Sequence, residues 1–468
     1  MARQSNFWDR TLNRVRNWRG PQTTPVGPVA VSKHLPDSEL PVIRQQIDAC
    51  LAHQGGAVSA RLRAAELGRA YLNLNAEGRL RFFRLLANEY DVDHDEIDKA
   101  SAALSVAEGE ADRRAARRRL RQALIAPRVD MLTQFNSLDR GVKFLVDMRA
   151  DMLGLLRDNP EIEPLEQDLQ RLLRGWFDVG FLEMAQITFN SPAALLEKLI
   201  DYEAVHEIQS WNDLKNRLDS DRRCFSFRHP NMPEEPLIFV EVALVNGMAD
   251  NVQSLLDEDA PRTEPETADT AIFYSISNCQ SGLAGVGFGD FLIKRVVDRL
   301  SQRLPNLKTF ATLSPIPGFR RWLDGQGDEG PPMLTDAENK RIAALGEEGK
   351  GLDVLKHLIA AGGWADDKKT AEAIREPLMR LCAQYLSSER DHRNRPLDPV
   401  ARFHLNNGAR VERINWLGDR SASGMAQSAG LMVNYLYDLN QIERNHEALR
   451  GEGRIVVSSD VRKLSKPA

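Results

Sequence analysis

From Leu40 to about Arg174 apolar residues recur at helical spacing, and no stretch alternates as a half-buried strand would. Asn75 suits the start of a helix carrying Leu80, Phe83, Leu86 and Ala87 on one face. Asp139 likewise suits a helix start, before a second stripe of Val142, Leu145, Val146, Met152, Leu153 and Leu156. The segment Asp91–Glu96 holds oxygen ligands in excess but lacks the glycine and distal glutamate of a calcium loop. Acidic residues commonly open helices, and a helix start is expected there.

After Trp176 the pattern changes. Cys224–Phe227 and Leu237–Val245 read as strands joined across the proline-bearing turn His229–Pro236. Ala271–Ser277 is β-branched and aromatic and predicts a buried strand. Gly282, Gly285, Gly287 and Gly289 follow, and then Ile293, Val296, Val297, Leu300 and Leu304 mark one face of a helix that Pro305 stops. Leu307–Leu313 predicts the next strand, ending at Ser314. A helical insertion is expected from about Thr335 to Ser388, opened by Thr335-Asp-Ala-Glu338 in the form of a capping box. Ala409–Trp416 reads as a strand and Met425–Leu439 as a helix. An all-helical half followed by mixed strands and helices makes the chain α+β.

With 468 residues the chain can hold two or three domains. Residues 1–38 read as an N-terminal arm and linker, 39–175 as a helical domain and 176–468 as a mixed domain. Residues 1–20 are arginine-rich, with Trp8, Leu12 and Val15 on one face, and Gly20–Ser38 holds four prolines. The arm resembles a transit peptide or an interfacial helix; a short arm docking on the protein itself is the plainer alternative. The formal charge is −5, which gives no field favouring nucleic acid, and the basic run Arg113–Arg121 is expected to be a solvated helix face. Four scattered cysteines fit neither a zinc site nor a disulfide framework and suit a reducing compartment. No apolar run reaches the ~20 residues of a membrane span. Arginine far outnumbers lysine, a hint of a bacterial, cytoplasmic protein; the mitochondrial matrix is the alternative.

Three features carry candidate chemistry. A glycine-rich loop feeding a helix start can turn backbone amides and a positive dipole end toward an anion. Its order of glycines is not a dinucleotide fingerprint, and it lacks the ending of a P-loop. A phosphate cradle and a tightly packed turn both fit the spacing. Ser314-Pro-Ile-Pro-Gly-Phe319 keeps a serine extended at a strand end, because the following proline disfavours the helical region. A rigid connection alone would look the same. His404 lies among apolar neighbours before a predicted strand, where a buried histidine satisfied by backbone is commoner than a catalyst.

At these residues the chain resembles the malonyl-CoA decarboxylase family. The matching segments are AIFYSIS, GLAGVGFGDFLIKRVV, LSPIPGF, ARFHLNNGARVERINWLGDRSASGMAQSAGLMVNY and, upstream, GVKFLVDMRADML, WFDVGFL, EAVH and DRRCFSF, from about residue 139 onward. The resemblance implies a helical oligomerisation domain ending near Gly175, forming a homo-oligomer (tetramer or dimer). It also implies a catalytic domain of the GCN5-related acetyltransferase fold that needs no metal or other cofactor. It places the CoA-binding loop on Ala284, Gly285, Val286, Gly287, Phe288, Gly289 and Asp290, and the catalytic pair on Ser314 and His404. Malonyl-CoA would be the substrate and acetyl-CoA and CO2 the products, in fatty acid metabolism. Ser314 is expected to hydrogen-bond the malonyl group and His404 to protonate C2, with Asn278 a further candidate for the oxyanion. Gly287 stands where animal members carry an acidic residue. An acyl-CoA N-acyltransferase and a non-catalytic acyl-CoA sensor are the competing readings.

Overall fold

The computed structural model describes residues 28–54, 56–287, 292–327, 333–345 and 351–466. These residues form two compact units. The first holds the chain up to Glu183 with Arg228–Pro236 and the described part of Gln280–Phe288; the second holds the rest.

Among the described residues eight helices build the first unit: α1 (Leu40–Leu51), α2 (Gly56–Asn73), α3 (Ala76–Glu89), α4 (His94–Val106), α5 (Gly109–Ala123), α6 (Pro127–Asn136), α7 (Gly141–Leu155) and α8 (Glu163–Trp176). Asn75 caps α3 by accepting from the Gly78 amide, and Asp93 caps α4 by accepting from that of Glu96. The acidic Asp91–Glu96 segment is thus a helix start. α5 carries the arginine run and buries none of its residues, so that run is a solvated face. Tyr71 centres the core, its ring 5.5 to 5.7 Å from those of Phe82, Phe83 and Phe144, and its hydroxyl donates to Asp151 at 2.6 Å. One detail departs from expectation. Asp139 does not cap α7; Arg140 takes the cap position at φ 54° with no side-chain cap bond.

Most of an eight-stranded sheet belongs to the second unit: β1 (Glu183–Ile187), β2 (Arg222–His229), β3 (Met232–Val245), β4 (Thr270–Asn278), β5 (Thr309–Thr312), β6 (Ser314–Pro315), β7 (Arg410–Asn415) and β8 (Met432–Leu436). The order is β1-β2-β3-β4-β5-β8-β6, with β7 also on β8. β3 and β4 pair antiparallel and β4 and β5 parallel. Helix α9 (Leu292–Arg303) buries Ile293, Val296, Val297 and Leu300, the stripe read from the sequence. The insertion supplies α10 (Asp336–Ala343), α11 (Gly351–Ala361) and α12 (Lys368–Ser388), and Thr335 and Glu338 do form a capping box.

The helix expected over Met425–Leu439 is a correction. A helix covers only Ala422–Ser428; Ala429 and Gly430 then take left-handed φ values of 51° and 74°, and Met432–Leu436 is strand β8. β8 pairs with β5, β6 and β7, so Met432, Val433, Asn434 and Tyr435 are all buried. A strand covered on both faces loses the polar alternation that marks a strand, and its apolar run imitates a buried helix.

Candidate active site

Ser314 stands where two parallel strands part. β4 and β5 stay in register from Thr270–Thr309 to Phe273–Thr312. β4 continues to Asn278, but beyond Thr312 the chain moves onto β8, pairing Ser314 with Val433. The resulting gap is a cavity of about 270 Å³. Tyr274, Ser275, Ile276 and Asn278 line it from β4, Ser314 and Pro315 from β6, and Phe403 and His404 from a helix, α13 (Pro399–Asn406). The parallel pair β4 and β5 thus splays at this point of the mixed sheet.

One carboxylate aligns both functional groups. Asp398 caps α13, its Oδ1 accepting from the Val400 and Ala401 amides at 2.9 Å each. Its Oδ2 accepts from the Gly318 amide at 3.2 Å and the Tyr385 hydroxyl at 3.4 Å. The exit of the Ser-Pro-Ile-Pro-Gly turn is thereby tied to the start of the helix that carries His404. Glycine is needed at 318, since a Cβ there would lie 2.1 Å from Tyr385 Oη.

Ser314 Oγ lies 3.2 Å from His404 Nε2 and donates to Thr312 Oγ1 at 2.8 Å. His404 Nδ1 lies 2.8 Å from Tyr437 Oη, and the imidazole stacks on Tyr435 with centroids 4.7 Å apart. Because the serine proton goes to Thr312, Nε2 must donate to Ser314. Nδ1 then accepts from Tyr437, which completes one directed chain of hydrogen bonds. Burial pushes His404 down to about 3, so the ring is neutral near pH 7, and burial holds the Tyr437 phenol well above its ordinary range, so it keeps its proton.

Behind β4, Glu203 accepts from the hydroxyls of Ser275 (2.7 Å) and Ser277 (3.0 Å) and from the amides of Val205 (2.9 Å) and His206 (2.8 Å). This fastens Val205, another lining residue, to the strand, and it commits the Ser275 proton away from the cavity. The lining therefore offers hydroxyl, amide and imidazole groups and, among the described residues, no Lys, Arg, Asp or Glu.

The sequence singled out Ser314 and His404, and the fold brings them together. Sequence reasoning missed Tyr437, Tyr435, Thr312, Asp398 and Glu203. Asp398-Pro399 had a readable signal, a capping residue before a helix-opening proline. Tyr437 had none, since it follows a strand read as a helix. Of the predicted CoA loop, Ala284, Gly285, Val286 and Gly287 are described and belong to the first unit; Phe288, Gly289 and Asp290 lie outside the described residues. Ser281–Leu283 forms a short 3-10 turn, Gly285 adopts φ 71°, and Val286 is buried.

Comparison with known proteins agrees along the chain. The malonyl-CoA decarboxylase C-terminal domain matches residues 180–468 and the N-terminal domain of the same family matches residues 90–177. Mitochondrial malonyl-CoA decarboxylase of Rattus norvegicus is 39% identical over 427 residues, 88% of this chain and 83% of the rat protein. The crystal structure of malonyl-CoA decarboxylase from Rhodopseudomonas palustris superposes with a TM-score of 0.81 at 39% identity, covering 90% of this chain and 98% of that one. The Agrobacterium vitis structure gives 0.80 at 40% identity, covering 91% and 100%. On the extent of these matches, the chain belongs to the malonyl-CoA decarboxylase family.

Proposed function

We propose that this carboxy-lyase converts malonyl-CoA to acetyl-CoA and CO2 in the cavity between β4 and β6, using Ser314 and His404, with the CoA diphosphate held by backbone amides of the 284–290 loop. The observation that carries the reading is the Ser314–His404 pair in a cavity whose lining, among the described residues, holds no Lys, Arg, Asp or Glu. Loss of CO2 moves the negative charge from the malonyl carboxylate to the thioester oxygen. Neutral donors that meet the enolate oxygen favour the transition state, each contributing about 3–4 kcal/mol when well placed. In the free site the Ser314 proton goes to Thr312; on substrate binding the hydroxyl turns to donate to the malonyl group, with Asn278 a second candidate donor.

The reaction consumes one proton. A neutral imidazole gives one up poorly, but an incoming carboxylate raises the pKa of a buried ring beside it. His404 thus gains a proton from solvent, at Nδ1, on binding substrate, and the Tyr437 hydroxyl turns to accept from it. The C–C bond then breaks, its electron pair passes to C2 and the thioester, CO2 leaves, and the imidazolium protonates C2 and returns to neutral. In the neutral ring Tyr437, donating to Nδ1, keeps the proton on Nε2, the nitrogen beside Ser314.

Purified protein mixed with malonyl-CoA alone, with acetyl-CoA followed by mass, tests the reading. Conversion without any acceptor supports it. Dependence on an added amine would instead indicate an acyltransferase, and binding without turnover a sensor.

A further inference from the structure

The CoA loop is held from behind by an arginine of the helical half. Arg149, on α7, is 1% exposed. Its Nε and Nη2 bind Glu166 Oε1 of α8 at 2.8 and 2.7 Å, and its Nη1 donates to the carbonyls of Gly282 (2.6 Å) and Ala284 (2.8 Å). From the last turn of α8, Arg174 donates to the Gly285 carbonyl at 3.1 Å. The loop also sits directly on α7: a Cβ at Gly282 would lie 1.8 Å from the Val146 carbonyl oxygen.

The geometry of the peptide unit gives this arrangement a consequence. The chain has no cis peptide among its described residues. In a trans unit the C=O of one residue and the N–H of the next point in opposite directions. A guanidinium grasping the Ala284 carbonyl from the α7 side therefore aims the Gly285 amide away from α7. The amides of Leu283, Ala284 and Val286 donate within the turn, to the carbonyls of Gln280, Ser281 and Leu283. Gly285, at φ 71°, supplies the described loop amide whose direction Arg149 sets.

We propose that Arg149, anchored by Glu166, is a positioning residue that fixes the Gly285 amide for the CoA diphosphate. The proposal rests on the reading of 284–290 as the diphosphate loop. Arg149 touches no substrate; it acts through the peptide that it holds. Glu166 balances the charge, since a lone guanidinium at this depth would be strongly destabilising.

The experiment compares malonyl-CoA with malonyl-pantetheine, which lacks the diphosphate, as substrates of the full-length enzyme. The double variant Arg149→Met/Glu166→Leu removes the pair without stranding one charge. It should melt cooperatively, raise KM for malonyl-CoA by about ten- to a hundredfold, leave kcat close to wild type, and leave kcat/KM for malonyl-pantetheine unchanged. Arg149→Lys keeps a charge but cannot bridge Glu166 and two carbonyls, so it should show the same selective rise and serves if the double variant does not fold. Gly285→Ala, strained at its positive φ, is the control for the loop itself. If Gly285→Ala raises KM for malonyl-CoA alone while the Arg149 variants match wild type, the loop reading stands and the positioning role is wrong. An equal loss with both substrates in the Arg149 variants makes the arginine merely structural. If neither position distinguishes the substrates, the loop reading fails and takes this proposal with it.

Discussion

Ser314 and His404 are 90 residues apart in the chain, yet Oγ and Nε2 lie 3.2 Å apart. Neither side chain reaches the other by local structure. One sits at a strand end that has left its parallel neighbour, the other on a helix whose start is tied to the serine's own turn by Asp398.

His404→Asn removes the proton donor and should lower kcat by roughly 10²- to 10⁴-fold. Ser314→Ala should also lower kcat. CoA affinity, measured by calorimetry, should persist in both, because the loss falls on the chemical step. Wild-type turnover in both variants would overturn the assignment.

Tyr437→Phe leaves Nδ1 of a buried ring without its donor at a cost of about 1–3 kcal/mol in stability. It also frees the ring to place its proton on either nitrogen. Thermal melts should fall and kcat should fall with them, while KM stays near wild type. A drop in melting temperature with undiminished kcat would make the tyrosine a packing residue only.

Stability should depend on pH through His404. Its folded pKa, about 3, lies below the value of 6.5 for a free ring. The unfolded chain therefore binds this proton more tightly than the folded one. The contribution is fully present above about 6.5 and is lost as pH falls toward about 3, by up to ~1.4 kcal/mol per pH unit. Urea midpoints at about pH 7 and pH 4.5 should differ more for wild type than for His404→Gln. Parallel shifts in the two proteins would remove His404 as a cause.

Gly282→Ala should loosen the loop, because its new methyl would meet the Val146 carbonyl oxygen at 1.8 Å, and a backbone atom cannot rotate away. KM for malonyl-CoA should rise more than kcat falls. If KM stays unchanged, the 281–287 turn does not depend on its seat against α7.

Local chemistry determined a good deal of this protein. Asn75 and the Thr335/Glu338 box announce their helices because a cap is satisfied within a few residues of chain. The helical half and the stripe of α9 follow from side-chain period, and strand β4 from its β-branched and aromatic composition. Ser314 and His404 stood out through long runs shared with a family, since no local rule selects one serine or one of nine histidines.

Tertiary structure decided the rest. Met432–Leu436 is a strand because three neighbours supply its hydrogen bonds, a fact that its own residues do not encode. Tyr437 reaches Nδ1 only because β8 is a strand, and Glu203 ties Val205 to β4 through hydroxyls more than seventy residues away. Arg149 reads in the sequence as one more polar residue on a helix, and its partners Gly282 and Ala284 lie 133 and 135 residues further on. Helical period and capping act over a few residues and leave a trace in the sequence. The placement of a guanidinium, a hydroxyl or an imidazole against its partner depends on where distant backbone is brought by packing, and that is settled only when the whole chain folds.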